Sequence, residues 1–227
     1  MHPNIQHLYE IANKPTRKVI GLMSGTSLDG LDIALCTITG AGKATKVKLD
    51  EFITVPYTPN LKEKLLTVFS QKTVSLEQLC VLNPWLALQH ASMVNHALQQ
   101  WGVDAAQVDL IASHGQTIYH APKSLHPADA FGPATLQIGD GDHIAVATGI
   151  ITVSDFRQKH IASGGEGAPL SLYGDYLLCA HATENRILLN IGGIANFTLL
   201  NAGGSLSQVF SSDTGPGNTL MDAYTRK

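Results

Sequence analysis

The stretch ITVSDFR, residues 151–157, sets an acidic side chain directly after a run of β-branched residues. Such a run favours a buried strand, and a carboxylate that follows a strand lies at the rim of a sheet. There it can accept a proton from a substrate or from water, so we interpret Asp155 as a candidate general base. Arg157 would share its face of an extended chain and could bind a substrate anion. An Asp155–Arg157 pair on the surface is the alternative.

Three glycine-rich segments could bind anionic oxygens: SGTSLDG at 24–30, NIGGIAN at 190–196 and DTGPGN at 213–218. Glycine allows close approach of the backbone, and successive amides form an anion-binding nest. The chain has neither a Walker A sequence nor a G-x-G-x-x-G after a strand, so neither a P-loop nor a Rossmann fold is indicated. Each segment alone has an ordinary turn as its alternative, and Asp213 an Asx-turn. Together they favour a nucleotide-binding cleft, which we expect Asp155 to face as well.

Polar residues also occupy the strand-like segment ASHGQTIYHAP at 112–122. We interpret His114 and Gln116 as hydrogen-bonding residues for a polar ligand. Zinc bound through His114 and His120 is a weaker alternative, because no third ligand lies at a recognised spacing. The segment GDGDH at 139–143 lacks the calcium-loop pattern, so we predict a turn there.

The segment SGGEGAP, residues 163–169, supplies backbone amides ahead of a helix that we predict to begin near Pro169. Such a loop suits an anionic or sugar ligand, and for Glu166 helix capping is the alternative role. The substrate-binding residues that we predict are His114, Gln116, Arg157, Gly164, Gly165, Gly167 and Ala168.

Composition excludes several classes of protein. The chain has 227 residues, of which 44% are hydrophobic and 15% charged, and this composition permits a sizeable core. Its formal net charge of −3, without a dense basic cluster, argues against a nucleic-acid partner. It has neither a long apolar run nor a secretory signal, so we expect no membrane partner and a cytoplasmic location. The three cysteines lie far apart and are expected to be free thiols.

The order of the segments predicts an α/β fold. Residues 18–38 read as a hairpin with a polar tip, and residues 46–57 as a third antiparallel strand. Two helices follow, at 60–71 and from an N-cap at Ser75 to Trp101, the second broken or kinked at Pro84. Short apolar strands then follow, and each leads into Gly, His or Asp residues at its end.

From Arg186 onwards the pattern of strand, Gly-Gly turn and strand returns, which suggests a duplicated fold with a ligand between two lobes. The second unit stops after roughly 40 residues, short of the 100 or so of a usual domain, so we expect it to be incomplete. We therefore divide the chain into a loose N-terminal leader (1–17), a first lobe (18–183) and the start of a second lobe (184–227).

Seven segments occur together in one order: GLMSGTSLDGLD, SHGQT, LQIGD, DFR, GGEGAPL, LNIGGIANFT and DTGPGN. With them the chain, from about Gly21 to its last residue, resembles the anhydro-N-acetylmuramic acid kinase family. That family belongs to the superfamily of sugar kinases, Hsp70 and actin-like ATPases. The resemblance implies a ribonuclease H-like first lobe with a mixed five-stranded sheet, and a second lobe that closes with it over ATP and Mg²⁺.

The resemblance also implies a coupled reaction on 1,6-anhydro-N-acetylmuramic acid, an intermediate of peptidoglycan recycling. Water opens the anhydro ring at C1 while O6 takes the γ-phosphoryl group of ATP, and N-acetylmuramate 6-phosphate forms. The catalytic aspartate of the family falls on Asp155. Its first phosphate loop falls on Gly25, Thr26, Ser27, Leu28, Asp29, Gly30, Leu31 and Asp32. The second lobe would contact phosphate or Mg²⁺ through Asn190, Gly192, Gly193, Asn196, Asp213, Gly215, Gly217 and Asn218, with Asp213 as the metal ligand.

In the family, further C-terminal sequence completes the second lobe, the adenosine site and part of the sugar pocket. We therefore expect weak or no turnover from the chain as given. The resemblance also implies a homodimer. A non-catalytic nucleotide-binding or sugar-binding sensor or assembly module is the alternative function. A serine hydrolase ranks last because the chain has no G-x-S-x-G.

Overall fold

The computed structural model describes residues 2–126 and 131–225, which form two β-sheets and seven α-helices. The strands are β1 (Thr16–Ser24), β2 (Gly30–Thr39), β3 (Lys46–Pro56), β4 (Leu110–Ala121), β5 (Ala134–Ile138), β6 (Thr152–Ser154), β7 (Arg186–Ile191), β8 (Ile194–Leu200) and β9 (Phe210–Pro216). The α-helices are α1 (Pro3–Asn13), α2 (Pro59–Leu66), α3 (Leu76–Trp101), α4 (Gly141–Thr148), α5 (Phe156–Ala162), α6 (Leu172–Cys179) and α7 (Asn218–Thr225). Short 3-10 turns lie at Gly42–Ala44, Ala105–Gln107, Lys123–Leu125 and Leu206–Gln208.

The first sheet is mixed and has the strand order β3-β2-β1-β4-β5, with β6 also paired to β4. Strands β1, β2 and β3 are antiparallel neighbours, as the sequence predicts, whereas β4 runs parallel to β1 and to β6. The mixed α/β class is confirmed. The sheet has six strands rather than five, because the long β4 pairs with β6 through its first half and with β5 through its second half.

The core lies between this sheet and α3. Alternate side chains of β1 and β2, such as Ile20 and Ile33, are fully buried on the face that packs against Leu86 and Val94 of α3. This alternation follows from the two-residue period of a strand. The opposite face is more open among the described residues, where Met23 and Phe52 are half exposed.

Both ends of α3 are confirmed. The Ser75 hydroxyl accepts a hydrogen bond from the Gln78 amide, and Gly102 ends the helix with a left-handed backbone. The helix continues through Pro84, so the predicted break is wrong. Pro84 removes the donor for the carbonyl of Cys80, but Cys80 lies on the exposed side of the helix, where water can hydrate that carbonyl.

Three helical segments differ from their predictions. The leader is helical, because Pro3 suits the first helical position and the Arg17 guanidinium donates to the C-terminal carbonyls of Ile11 and Ala12. Helix α2 ends at Leu66, five residues before its predicted end at position 71. Helix α6 begins at Leu172, with Ser171 rather than the residue before Pro169 at its N-cap.

The segment at 139–143, which we predicted to be a turn, begins α4. The Asp140 carboxylate accepts hydrogen bonds from the His143 amide (3.0 Å) and from its ring Nδ1 (2.7 Å). These bonds cap the helix and hold the pKa of Asp140 below its usual value.

The second sheet is the antiparallel meander β7-β8-β9, which repeats the β1-β2-β3 arrangement of the first. The repeated strand-turn-strand pattern is thereby confirmed. The Thr198 hydroxyl donates to the Asp175 carboxylate of α6, which packs against β8. The division at 183/184 remains a prediction, and the last two residues of the resemblance, 226 and 227, lie outside the described part. No described helix is long and apolar enough to cross a membrane.

Candidate functional site

Asp155 lies between β6 and α5 and has a left-handed backbone, with φ 65° and ψ 35°. Within the described residues its carboxylate makes no hydrogen bond, not even to the first turn of α5, at whose N-cap it stands. The expected buried strand is wrong: β6 has three residues, its Val153 is 40% exposed, and Asp155 itself is exposed. Asp155 is thus an accessible carboxylate on a constrained backbone.

Arg157 bridges two elements and makes no ion pair with Asp155 among the described contacts. Its Nε donates to His114 Nε2 at 2.8 Å, and its Nη1 donates to the Gly167 carbonyl at 2.7 Å. Because α5 begins at Phe156, Asp155 and Arg157 do not share one face of an extended chain. Both sequence-based interpretations of this pair, the shared face and the surface pair, are therefore wrong. Arg157 instead ties β4 to the 163–167 loop.

His114 is buried and neutral. Its Nδ1 donates to the Gly115 carbonyl at 2.8 Å, so its Nε2 is left to accept the hydrogen bond from Arg157. Burial lowers the pKa of His114 to about 4, and the positive charge of Arg157 lowers it further. The imidazole is therefore an acceptor fixed by two bonds, not a donor available to a ligand.

The 163–167 loop folds back onto α5. The Gly167 amide donates to His160 Nδ1 at 3.1 Å, and the Gly165 amide donates to the His160 carbonyl at 2.9 Å. Gly164 is exposed, whereas Ala168 is half-buried. Burial lowers the pKa of the nearby His120, while the charges of Glu166 and Asp213 act in the opposite direction.

A polar cavity of about 200 Å³ opens beside Asp155. It is lined by Asn83, His114, Gly115, Leu136, Gln137, Ile138, Gly139, Asp140, Gly141, Ser154, Asp155 and Gln158. The side-chain oxygen Oε1 of Gln137 is buried without a hydrogen-bond partner in the described structure. Buried polar atoms normally have partners, so this oxygen is suited to accept a hydrogen bond from a ligand hydroxyl or amide.

Sequence reasoning missed five polar residues of this cavity: Asn83, Gln137, Asp140, Ser154 and Gln158. For Gln137 a signal existed, because it lies within LQIGD, one of the segments that carry the resemblance. Asn83 was considered only because it precedes Pro84 at the predicted helix break. Its Oδ1 accepts a hydrogen bond from the Gly139 amide at 2.7 Å. Nothing local in the sequence marks Ser154 or Gln158.

The cavity beside Asp155 includes no residue of 25–32 among its described lining, so the expected single cleft is not formed by this cavity. A bulge in β4 separates the two regions. Leu22 pairs with Ser113 but Ser24 pairs with Gln116, which leaves His114 and Gly115 opposite Met23 alone. His114 and Gly115 therefore line the cavity, while the Gln116 amide donates to the Gly25 carbonyl at 3.0 Å.

The first glycine-rich turn closes on its own carboxylate. Asp29 Oδ1 accepts hydrogen bonds from the Ser27 hydroxyl (2.8 Å) and the Gly30 amide (3.1 Å). Within the described residues the amides of Thr26 and Ser27 donate no hydrogen bond. These two amides are therefore available to an anionic ligand.

Three of the predicted phosphate-loop residues have structural roles in this arrangement. The side chains of Leu28 and Leu31 are buried in the core, with 5% and 1% exposure. Asp32 accepts a hydrogen bond from the Thr54 hydroxyl at 2.6 Å. The buried leucines cannot reach a ligand with their side chains, so Leu28 and Leu31 could contact it only through the backbone, and the role of residues 25–32 remains a prediction.

The three glycine-rich segments come together. Gly193 lies so close to the first turn that a Cβ there would be 2.8 Å from Thr26 Oγ1. The Gly217 amide donates to the Gly193 carbonyl at 2.9 Å, and the Asn218 amide donates to the Gly192 carbonyl at 2.7 Å. The sequence segments at 24–30, 190–196 and 213–218 therefore form one cluster of turns.

A row of polar side chains crosses the second sheet beside this cluster. Asn190 pairs with Asn196 across β7 and β8, and Asn196 pairs with Asp213 across β8 and β9. Directly opposed residues project from the same face of a sheet. Gly215 follows in β9 with a positive φ of 129°. Within the described ranges, no group of three or more His, Cys, Asp or Glu side chains could hold a metal by itself.

Comparisons with known proteins concern the family of the chain rather than the geometry of the site. The family model for anhydro-N-acetylmuramic acid kinase matches residues 17–227. A protein of that name from Pseudoalteromonas atlantica is 57% identical over 227 residues, and one from Pseudoalteromonas translucida is 58% identical. One from Caldanaerobacter subterraneus is 43% identical over 98% of this chain. The chain spans 57%, 57% and 56% of the lengths of these relatives.

A solved structure, of a reductive activator for a corrinoid, iron-sulfur protein, aligns with 90% of this chain and 32% of its own. Its identity is 13% and its TM-score 0.41, too low to assign a shared fold. The family model and the close relatives are decisive: the chain belongs to the anhydro-N-acetylmuramic acid kinase family.

Proposed function

We propose that the chain acts in the ATP-dependent conversion of 1,6-anhydro-N-acetylmuramic acid to N-acetylmuramate 6-phosphate. Family membership supports the kinase class. The observation that carries the proposal is Asp155: an accessible carboxylate without a hydrogen-bond partner in the described structure, held beside a polar cavity. A positioned carboxylate within reach of a bound water is the requirement for a general base.

In this reaction Asp155 removes a proton from water as the water oxygen bonds to C1 of the sugar. The bond between C1 and O6 breaks, and O6 takes the γ-phosphoryl group while ADP leaves. Gln137 Oε1 and the Gln158 amide, both at the cavity, are suited to bind hydroxyl or acetamido groups of the sugar. Arg157 and His114 act indirectly, because they fix the wall of the cavity.

Binding of the phosphates is assigned to the cluster of glycine-rich turns. The amides of Thr26 and Ser27 supply donors, and phosphoryl transfer depends mainly on such positioning and on charge stabilisation. Mg²⁺ prefers a few carboxylate ligands together with phosphate oxygens and water, and the exposed Asp213 beside Asn196 fits that donor set. When bound, the ion would neutralise phosphate charge.

We further propose that the chain as given turns over slowly, because it spans 57% of the length of relatives that carry the whole activity. The reaction needs ATP, and we assign it to the cytoplasm. The three cysteines, none of which is in a disulfide, agree with a reducing compartment. A homodimer remains part of the proposal through the resemblance alone.

The experiment compares the chain with its Asp155→Asn variant in oxygen-18 water with Mg–ATP and the anhydro sugar. We expect slow formation of 6-phosphorylated N-acetylmuramate that carries the heavy oxygen at C1, detected by mass spectrometry. Asparagine keeps the shape and tolerates the left-handed backbone but cannot accept the proton. The rate should therefore fall by a factor of about 10²–10⁴, with sugar affinity unchanged by calorimetry.

Asp142→Asn is the matched control, since Asp142 is an exposed carboxylate on α4 that does not line the cavity. Its rate should equal that of the wild type. An Asp155→Asn variant as active as the control would remove Asp155 from the chemistry. Binding of sugar or nucleotide with no product from the wild type would contradict turnover by the chain as given. The same substitution in a full-length protein then separates a kinase, which loses product formation, from a non-catalytic binding module, which keeps its ligand response.

A further inference from the structure

A chain of four buried polar side chains runs from α3 to the first glycine-rich turn. His90 Nε2 lies 2.7 Å from the Tyr57 hydroxyl, which lies 2.7 Å from the Ser24 hydroxyl. The Ser24 hydroxyl lies 2.5 Å from Gln116 Oε1, and Gln116 Nε2 lies 3.0 Å from the Gly25 carbonyl oxygen. All four side chains are at most 4% exposed.

Only one arrangement of protons satisfies every bond from His90 to Gly25, and in it the longer contact of the Ser24 hydroxyl with the Gly30 carbonyl (3.4 Å) shares the proton that Ser24 donates to Gln116. Gln116 Nε2 faces two carbonyl oxygens, those of Gly25 and Thr117, so it is the donor end of the amide and Oε1 can only accept. Ser24 must therefore donate to Gln116 Oε1 and accept from Tyr57. The Tyr57 hydroxyl, having one proton, must accept from His90 Nε2. Each hydrogen bond is therefore donated in the same direction, from His90 towards the Gly25 carbonyl.

This arrangement leaves His90 Nδ1 as a bare acceptor, and that atom is buried without a partner in the described structure. An unpaired buried polar atom destabilises a fold, and apolar side chains would fill the same space without that penalty. Core stability alone therefore gives no reason for this set of residues. What the set achieves at the first glycine-rich turn is a fixed hydrogen bond to the Gly25 carbonyl.

The Gly25 carbonyl also accepts the Leu28 amide, at 3.4 Å, across the turn. The turn thus has two supports: its own Asp29 carboxylate, and the buried chain that begins at His90. The bulge in β4 is what allows the second support, because it places Gln116 opposite Ser24 on the core face.

We propose that Ser24, Tyr57, His90 and Gln116 are positioning residues that hold the first glycine-rich turn, and with it the amides of Thr26 and Ser27, in the conformation that binds phosphate. The part of this claim that concerns phosphate rests on the proposed kinase function. The part that concerns the turn does not.

The test is Tyr57→Phe, which removes the central hydroxyl and keeps the ring. A hydrogen bond to the Gly25 carbonyl polarises the Gly25–Thr26 peptide, so the nitrogen-15 shift of the Thr26 amide should change. Hydrogen exchange at the amides of Leu28 and Gly30 should accelerate about tenfold, the equivalent of one lost hydrogen bond. Mg–ATP should bind about tenfold more weakly, with sugar affinity unchanged.

Ser24→Ala breaks the same chain at a second point and decides the question if Tyr57→Phe does not fold. Because both variants cut one chain, the double variant should affect the turn no more than either single variant. Tyr176→Phe is the matched control: it removes a tyrosine hydroxyl that donates to the Gly204 carbonyl, far along the sequence from the turn.

The proposal is overturned if Tyr57→Phe and Ser24→Ala leave the Thr26 shift and the exchange at residues 25–30 equal to those of Tyr176→Phe. A wild-type chain that binds no Mg–ATP would contradict the kinase proposal instead. In that case the shift and exchange measurements, made without nucleotide, still decide whether the buried chain positions the turn.

Discussion

At the scale of single residues, the left-handed backbone of Asp155 lowers the stability of the protein and therefore calls for another reason. A left-handed backbone at a residue other than glycine costs roughly 1 kcal/mol, and such strain concentrates at functional sites. The described residues offer no cap or ion pair that would offset this cost, since the carboxylate bonds to none of them. On the proposed function, this conformation serves to direct the carboxylate to the cavity.

Asp155→Gly is expected to stabilise the protein by about 1 kcal/mol, because glycine adopts positive φ freely. Urea denaturation measures this change. Ser70→Gly is the control, since Ser70 also has a positive φ, of 56°, on the exposed surface away from the cavity. Both variants should gain stability, but only Asp155→Gly should lose product formation. A destabilised Asp155→Gly variant would show that the carboxylate makes a stabilising contact.

Sequence alone singled out Asp155 and the glycine-rich turns as candidates, because each follows an apolar run with an abrupt change to polar residues, and their roles remain predictions. It could not identify the partners. Arg157 looked available to a substrate, yet it is taken up by His114 and the Gly167 carbonyl, which are 43 and 10 residues away in the chain. Partners so distant in sequence follow from the tertiary fold, not from local pattern.

At the scale of elements, the second sheet depends on the contact between its two glycine-rich turns. Gly217 lies against the β7–β8 turn so closely that a Cβ would be 2.4 Å from the Gly192 carbonyl oxygen. That neighbour is backbone, which can yield only if the whole turn moves. The two amide-to-carbonyl bonds between the turns depend on the same closeness.

Gly217→Ala is therefore expected to destabilise the protein by roughly 1–3 kcal/mol, a usual penalty for an overfilled site. The loss should appear in urea denaturation and as faster amide exchange in β7 and β8. Gly174→Ala is the control, because Gly174 lies inside α6 with nothing within 4 Å of its Cβ position. It should gain up to about 1 kcal/mol from helix propensity. If Gly217→Ala stabilised the protein as much as Gly174→Ala does, the close contact between Gly217 and the Gly192 carbonyl would be contradicted.

Strands and long helices were predictable because their hydrophobic periods are long and regular, as in α3 with its Ser75 and Gly102 ends. The leader helix α1 and the start of α6 were not. Their ends are set by single contacts, such as those of Arg17 with Ile11 and Ala12, which a sequence pattern does not contain.

At the scale of the whole molecule, two buried neutral histidines make stability depend on pH. Burial lowers the pKa of His90 to about 4, and burial together with Arg157 lowers that of His114 to about 4. The unfolded chain has the ordinary histidine pKa near 6.5. Between these values the unfolded state binds more protons than the folded state, so acid favours unfolding.

The free energy of unfolding is therefore expected to fall as the pH is lowered from about 6.5 towards 4, in total by roughly 3 kcal/mol for each histidine. Urea denaturation between pH 6.5 and 5 measures this effect, to which the His120 ring adds because partial burial lowers its pKa as well. His114→Gln should reduce the slope by roughly a third to a half. His96→Gln, at an exposed position, should not change it. An unchanged slope in His114→Gln would mean that His114 is protonated in the folded protein.

The bulge in β4 determines where a residue can be deleted from this strand, both in a sequence alignment and in a redesigned protein. In a regular strand, residues on one face are two apart, but here Ser113 and Gln116 share the core face at a distance of three. Deletion of the one extra residue at this point would restore strict alternation with Gln116 still opposite Ser24, whereas deletion of one residue in a regular part of β4 would turn every later side chain to the other face. For its pairing with β1, β4 therefore tolerates a one-residue deletion between Ser113 and Gln116 better than in its regular part.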